Sequence, residues 1–307
     1  MRTKTKKALE GTTGVVQKST WFDYMNNALM ILLSLCFIYP VVMTLGQSFS
    51  DAKAMVGKTV FLFPVGFSLD SYKQLLSDIS ILRYYWNTIV YAGLGTFLTL
   101  TLTGMLAYPL TARDFKGKRV ISVMLLITMF FGGGMIPTYL VYKDMYHLTN
   151  TLWVMILPGA VSAWNVIIFK NFFNSIPVEL REAAQIDGAG HFRVLFQIVM
   201  PLSKPLLATI GLFTIVGHWN GYFNALLYLD SADKFPIQMF LRKILVLSEI
   251  SSGADLQNLD ILRQLANTNP TTVKAAATII TIIPILCVYP FLQKYFTKGM
   301  MLGSVKS

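Results

Sequence analysis

The chain has 307 residues, of which 54% are hydrophobic and 13% are charged, and its formal net charge is +11. Soluble globular domains carry roughly 25% charged residues, so this composition excludes an ordinary soluble protein. The two cysteines, Cys36 and Cys287, lie within apolar segments. We therefore interpret them as buried small hydrophobic residues and not as a disulfide framework.

Six runs without a charged residue, each 19 to 29 residues long, are distributed along the chain. About 20 helical residues cross the ~30 Å hydrocarbon layer, and a spanning helix pairs all of its own backbone groups. The pattern predicts an all-α integral membrane protein with six transmembrane helices. We place the spans at about 25–47, 85–110, 120–142, 148–170, 205–229 and 275–294.

Lysine and arginine are unevenly distributed between the two sides of these spans. With the N-terminus inside, the inner segments hold 16 basic and 6 acidic residues, and the outer segments hold 10 basic and 9 acidic residues. This asymmetry places the tails 1–23 and 299–307 in the cytoplasm, with residues 24–298 forming the transmembrane domain in the plasma membrane. The positive charge then reflects topology and contact with anionic membrane lipid, and we expect no nucleic-acid partner.

Several kinds of chemistry are missing from the sequence. It has neither a Gly-x-x-x-x-Gly-Lys-Ser/Thr phosphate loop nor a His-Glu-x-x-His helix, so we expect no bound cofactor and no metal site. The span interiors lack Asp, Glu, Lys and Arg, and His218 is the one histidine within them. An ion-coupled carrier normally buries such groups along its path. This argues against a stand-alone secondary carrier, which remains the alternative, and no catalytic pattern supports a membrane-embedded enzyme.

A charged interruption, residues 175–204, separates the fourth and fifth predicted spans. Pro177 is well placed to open a helix, and Gly188 and Gly190 can supply the left-handed conformation that ends it. A second short helix, 192–200, is expected to end before Pro201. From the residues alone, a connector on the membrane surface and a docking site for an energy-supplying partner are about equally supported.

The same stretch resembles the EAA motif of binding-protein-dependent ABC importer permeases. The one departure in the core pattern is Met200, where leucine is usual. Within the carbohydrate branch, the chain is most similar to the second, maltose-permease-like subunit, in a Gram-positive subgroup associated with complex oligosaccharides. The matching residues are Glu182, Ala183, Ala184, Gly188, Ile198 and Pro201.

The resemblance implies that this chain is one permease subunit of an oligosaccharide importer and not itself an enzyme. Its partners would be a second permease subunit, two ATPase subunits that bind ATP and Mg²⁺, and an extracellular solute-binding protein. The EAA helix, in the cytoplasmic loop between spans 4 and 5, would couple the spans to the ATPase. The outer loop, 230–273, would reach the binding protein through Gln257, Asn258 and Asp260.

Aromatic and amide side chains within two spans are candidates for a sugar path, because aromatic faces suit sugar rings and amides suit hydroxyl groups. Helix–helix packing is the competing interpretation for each of them. The sequence leaves a trisaccharide, a pectin fragment and an alginate-like anion open as the solute. The path candidates are Trp164, Asn165, His218, Trp219, Asn220, Tyr222 and Asn224.

The glycine-rich stretch FGGGMIP, residues 131–137, falls in the middle of the third predicted span and is followed by no phosphate-binding lysine. We interpret it as a place of close helix packing or of a local bend.

Overall fold

The computed structural model describes residues 20–55, 58–112, 114–252 and 269–304. Within these residues all regular secondary structure is helical apart from one antiparallel bridge between Ser50 and Phe67, so the all-α prediction is confirmed. The α-helices are α1 (Trp21–Ser48), α2 (Asp70–Leu76), α3 (Ser80–Ala107), α4 (Lys118–Phe130), α5 (Met135–Leu140), α6 (Trp153–Ile156), α7 (Ala163–Asn174), α8 (Val178–Ile186), α9 (His191–Val194), α10 (Met200–Leu202), α11 (Lys204–Asn220), α12 (Phe223–Tyr228), α13 (Ile237–Ser252) and α14 (Pro270–Ser304).

Shorter helical pieces join some of these elements. Two 3₁₀ turns lie at Pro109–Thr111 and Ala232–Lys234, and two π-helical segments lie at Val141–Met145 and Leu195–Val199.

Three helices are long and apolar enough to cross a membrane: Trp21–Ser48, Ser80–Thr111 and Pro270–Val288. Two further pairs reach that length together but are bent, by 117° between α4 and α5 and by 83° between α10 and α11. The described residues therefore supply three straight candidate spans, or up to five if each bent pair counts as one.

The predicted third, fourth and fifth spans are each interrupted by residues that disfavour a continuous helix. Residues 131–134, which include three glycines, separate α4 from α5, and Gly134 has a φ of +80°. Pro158 and Gly159, the latter also at a φ of +80°, lie between α6 and α7. Gly221 lies between α11 and α12. Proline lacks the N–H that a helix interior needs, and glycine tolerates backbone conformations that end a helix.

Helix α3 is the central element, and it packs against α11, α7, α13 and α6. Its packed face carries small residues, namely Gly95, Thr96, Thr99, Gly104 and Ala107. Small side chains let helix backbones approach closely within a membrane, where no hydrophobic force drives association. The approach is tight enough that a Cβ atom on Gly95 would overlap the imidazole of His218 on α11.

Three clusters of buried hydrophobic residues hold the helices together. The first joins α3, α7, α9 and α11, the second joins α2, α3, α11, α13 and α14, and the third joins α3, α6 and α12. The first cluster contains Ala107, Leu110, Val166, Phe169, Phe173, Ile176, Val194, Leu195, Val199, Leu206 and Ile210.

Polar contacts tie the segment after α12 to α3. The side chain of Asn87 donates to the carbonyl of Asp233 (2.7 Å), and the hydroxyl of Tyr91 donates to the carbonyl of Lys234 (2.7 Å). Thr88 accepts a hydrogen bond from the backbone N–H of Ile237 (2.8 Å). These bonds fix the start of α13. Helix α13 packs against α3 and α14.

Candidate functional site

Helix α8 has well-defined ends that follow from its sequence. Pro177 occupies the N-cap position, with φ −51° and ψ 129°, and Glu179 lies in the first turn, where a carboxylate favours the positive end of the helix. At the other end Gly188 has a φ of +82°. The N–H of Gly188 donates to the carbonyl of Gln185 (3.0 Å), and that of Ala189 donates to the carbonyl of Ala184 (2.9 Å). These bonds form a Schellman C-cap, which stops the helix after Ile186.

Gly190 and Pro201 differ from the sequence expectation. Gly190 has φ −69° and ψ 163° and serves as the N-cap of α9, so the prediction that it adopts a left-handed conformation is wrong. The predicted stop before Pro201 is also wrong, because helical backbone continues to Leu202. A π-helical segment immediately precedes the proline. The chain turns at Ser203, whose hydroxyl donates to the carbonyl of Val199 (2.7 Å).

The two sides of α8 have different environments. Ala184, together with Ala189 beyond the cap, packs against the first core cluster. Glu182 and Ala183 are exposed, and the side chain of Ile186 is 86% exposed. Of the remaining motif residues, Ile198 is half-buried and Pro201 is exposed. Helix α8 thus has small side chains on the face that packs against the core and exposed side chains on the opposite face.

Arg181 connects α8 to the end of the segment that contains α3. Its Nη1 atom donates to the hydroxyl of Thr111 (2.9 Å), while its Nε atom is buried and has no hydrogen-bond partner among the described residues. Thr111 is itself held by a bond from its hydroxyl to the carbonyl of Tyr108 (2.7 Å). In the sequence, Arg181 is one of several charged residues in the interruption at 175–204. Its position immediately before the motif glutamate gave no indication of a partner 70 residues away.

An open groove of about 980 Å³ lies between α8 and the chain that follows α3. The groove walls carry charges of both signs, which include Arg181, Glu182 and Asp114. It also contains apolar side chains such as Phe192, which is 68% exposed. A groove with this mixed lining, beside a helix that presents an exposed face, is a surface suited to contact with another protein.

Three of the path candidates on α11 lie close together in sequence but have different environments. His218 packs between α11 and α3. Trp219 is buried in the second core cluster, and its indole N–H donates to the carbonyl of Thr281 (3.0 Å), so its ring contributes to packing. Asn220 is exposed at the end of α11. Because the helix breaks at Gly221, Asn220 and Asn224 do not share one continuous helix, although they are four positions apart in the sequence.

The remaining path candidates are more accessible. Trp164 and Tyr222 are exposed, while Asn165 and Asn224 are half-buried. The guanidinium of Arg242 on α13 lies over the ring of Tyr222, 5.7 Å from its centroid. Gln257, Asn258 and Asp260 lie outside the described residues. Among the described residues, no group of three or more His, Cys, Asp and Glu side chains is arranged to hold a metal ion.

Residues 21–302 match the family described as binding-protein-dependent transport system inner membrane component. Protein LplC of Bacillus subtilis is 41% identical over 93% of this chain and 95% of its own length. The polygalacturonan/rhamnogalacturonan transport system permease protein YtcP of the same organism is 38% identical over 94% of this chain and 99% of its own length.

A solved structure also resembles the chain. It is the crystal structure of a bacterial ABC transporter involved in the import of the acidic polysaccharide alginate, and one of its chains superposes with a TM-score of 0.81. That chain is 33% identical, and the match covers 90% of the present chain and 96% of the other. The chain belongs to the family of binding-protein-dependent transport system inner membrane components, and it is a permease and not an enzyme.

Proposed function

We propose that this chain is one permease subunit of an ATP-driven oligosaccharide importer and that α8 is its contact with the ATPase. The observation that carries the proposal is the arrangement of α8, whose inner face is attached to the core while Glu182, Ala183 and Ile186 remain exposed. A helix held in this way transmits a push from a partner to the spans. The interior of every predicted span lacks Asp, Glu, Lys and Arg, which is consistent with an external energy source.

The proposed topology has six spans, both termini in the cytoplasm and α8 in the loop between spans 4 and 5. Support comes from the six charge-free runs and from the excess of basic residues in the inner segments. The bent pair of α4 and α5 supplies span 3, α6 with α7 supplies span 4, and α11 with α12 supplies span 5. Interrupted spans of this kind are tolerated where neighbouring protein pairs the freed backbone groups.

The proposed assembly contains a second permease subunit, two ATPase subunits and an extracellular solute-binding protein. ATP and Mg²⁺ belong to the ATPase subunits, and this chain binds no cofactor. Gln257, Asn258 and Asp260 in the outer loop remain our candidates for contact with the binding protein. Their amide and carboxylate groups are able to compete for hydroxyl groups of a bound sugar.

We propose an oligosaccharide that contains uronic acids as the solute. YtcP and the alginate transporter are both named for acidic polysaccharides. In this chain, Arg242 lies beside Tyr222, one of the exposed path candidates. An aromatic face next to a cation suits a sugar ring that bears a carboxylate.

The direct test is sugar uptake by the complete complex in proteoliposomes. The complex is purified with the products of the neighbouring genes, and uptake of labelled oligogalacturonate is measured with ATP, without ATP, and without the binding protein. We expect uptake to require both components. Uptake driven by a proton or sodium gradient in the absence of ATP would instead establish a secondary carrier.

Reversal of the charge at Glu182 is expected to weaken ATPase docking. In Glu182→Lys a cation replaces the exposed carboxylate, so a basic group on the ATPase would face a like charge. We expect the variant to insert into the membrane normally. Less ATPase should co-purify with it, and the complex should lose sugar-stimulated ATP hydrolysis. Asp70→Lys, a reversal of an exposed carboxylate on α2, is the control and should behave as wild type. Full ATPase recovery by Glu182→Lys would contradict the docking role.

Substitution of Gly188 is expected to disturb the end of α8. A left-handed backbone costs a residue with a Cβ atom about 1–2 kcal/mol, and a β-branched residue is especially disfavoured there. Gly188→Val should therefore lower uptake while the protein level in the membrane stays normal. Gly190→Val is the matched control, since Gly190 has a negative φ and its Cβ would enter open space. Equal uptake by the two variants would show that the left-handed turn is not needed.

Removal of the cation at position 242 is expected to affect charged sugars selectively. Arg242→Gln should raise the KM for oligogalacturonate in the proteoliposome assay and leave that for a neutral oligosaccharide of the same length unchanged. The neighbouring Lys243 is exposed, so Lys243→Gln serves as the control for loss of one positive charge. If Arg242→Gln changes both sugars equally, Arg242 does not select for a carboxylate.

A further inference from the structure

The break between α4 and α5 leaves backbone groups without partners. The N–H groups of Gly132, Gly133 and Gly134 make no hydrogen bond to any described residue, and the carbonyls of Phe131, Gly132 and Gly133 accept none. The N–H of Phe131 still donates to the carbonyl of Ile127 (2.9 Å), and the carbonyl of Gly134 accepts from the backbone N–H of Thr138 (3.3 Å). The unpaired groups therefore lie at the glycine triplet and in the helix turns on either side of it, where the last carbonyls of α4 and the first N–H groups of α5 also lack partners among the described residues.

The break lies at membrane depth under the proposed topology. Helix α4 begins at Lys118 beside a cluster of basic residues and has 13 residues. A rise of about 1.5 Å per residue places its far end roughly 20 Å from that cluster, within a hydrocarbon layer of about 30 Å. Irregular backbone at this depth is not tolerated against lipid, which offers no hydrogen bond.

The part of the chain that the structure describes does not cover the break. Every residue of α4 and α5 is described by the structure, and none is buried. The side chains of Phe130 and Phe131 are 79% and 77% exposed, and Met135 and Ile136 are exposed as well. The unpaired groups thus form a small polar centre within an apolar rim. Such a surface suits a contact between proteins in a membrane, where polar groups pair with the partner and apolar side chains pack around them.

We infer that residues 130–136 form a contact within the membrane with the second permease subunit. The inference rests on the proposed function, since only that partner has residues at this depth. The ATPases lie in the cytoplasm, and the binding protein lies outside. The contacting segment of the partner must present hydrogen-bonding side chains, such as Ser, Thr, Asn or Gln, to the glycine backbone, and apolar side chains to the two phenylalanines.

A leucine at position 132 tests this contact, because this chain alone has room for it. A Cβ atom on Gly132 meets no other atom within 4 Å, and Gly132 does not have a positive φ. The Gly132→Leu variant should insert at the wild-type level. Much less of the second permease should co-purify with it when the complex is extracted in mild detergent. Gly93 on α3 also has open space around it, so Gly93→Leu is the matched control and should recover the full amount. Full recovery by both variants would overturn the inference.

A photoreactive phenylalanine analogue identifies what covers the break. The analogue replaces Phe131 in the complex expressed from its native operon. Intact membranes are then irradiated, and the adduct is identified by mass spectrometry. We expect an adduct with the second permease. An adduct with a second copy of this chain, or with lipid only, would overturn the inference. If the second permease co-purifies but is not cross-linked, the inference fails while the proposed function stands. If no second permease co-purifies, the proposed function itself fails.

Discussion

Only a few contacts hold α8 to the spans, and they determine its position. Among the described residues, the bond from Arg181 to Thr111 is the one side-chain hydrogen bond between α8 and the rest of the protein. A hydrogen bond that involves a charged group contributes about 1.5–3 kcal/mol. Packing of Ala184 and Ala189 against the first core cluster supplies the remaining attachment. Thr111 ends the segment that contains α3, and α3 packs against four other helices. We therefore expect a displacement of α8 to reach the centre of the molecule.

A second constraint explains the rest of the architecture, namely that backbone groups within a membrane must be paired. Helix α3 meets this requirement with an unbroken helix, and its small residues let α11 pack closely against it. The segments that break, at residues 131–134, 157–162 and 221–222, do so at glycines or at a proline–glycine pair. The breaks permit helices to change direction within the bilayer. The break at residues 131–134 also leaves backbone groups that no described residue pairs, and we propose that the second permease subunit pairs them.

Much of this organisation could be predicted from the sequence, because membrane spans and helix caps are local signals. Charge-free runs located the apolar segments, and the spacing from Glu182 to Pro201 located the motif. The left-handed Gly188 also followed from glycine chemistry. The rest depends on tertiary contacts. The bond between Arg181 and Thr111 and the burial of Trp219 against Thr281 join residues that are 70 and 62 positions apart. The continuation of the helix past Pro201 depends on a π-helical segment that composition does not reveal.

We propose that α8 transmits the ATPase stroke to the spans through Arg181. The most direct measurement is the number of sugar molecules imported per ATP hydrolysed by the reconstituted complex, compared between wild type, Arg181→Met and Arg181→Lys. Methionine keeps an unbranched side chain about as long as the apolar stem of arginine but donates no hydrogen bond to Thr111, whereas lysine retains a donor. We predict that Arg181→Met keeps its bound ATPase and hydrolyses ATP while it imports much less sugar per ATP, and that Arg181→Lys retains most of the coupling. An unchanged ratio in Arg181→Met would contradict the account.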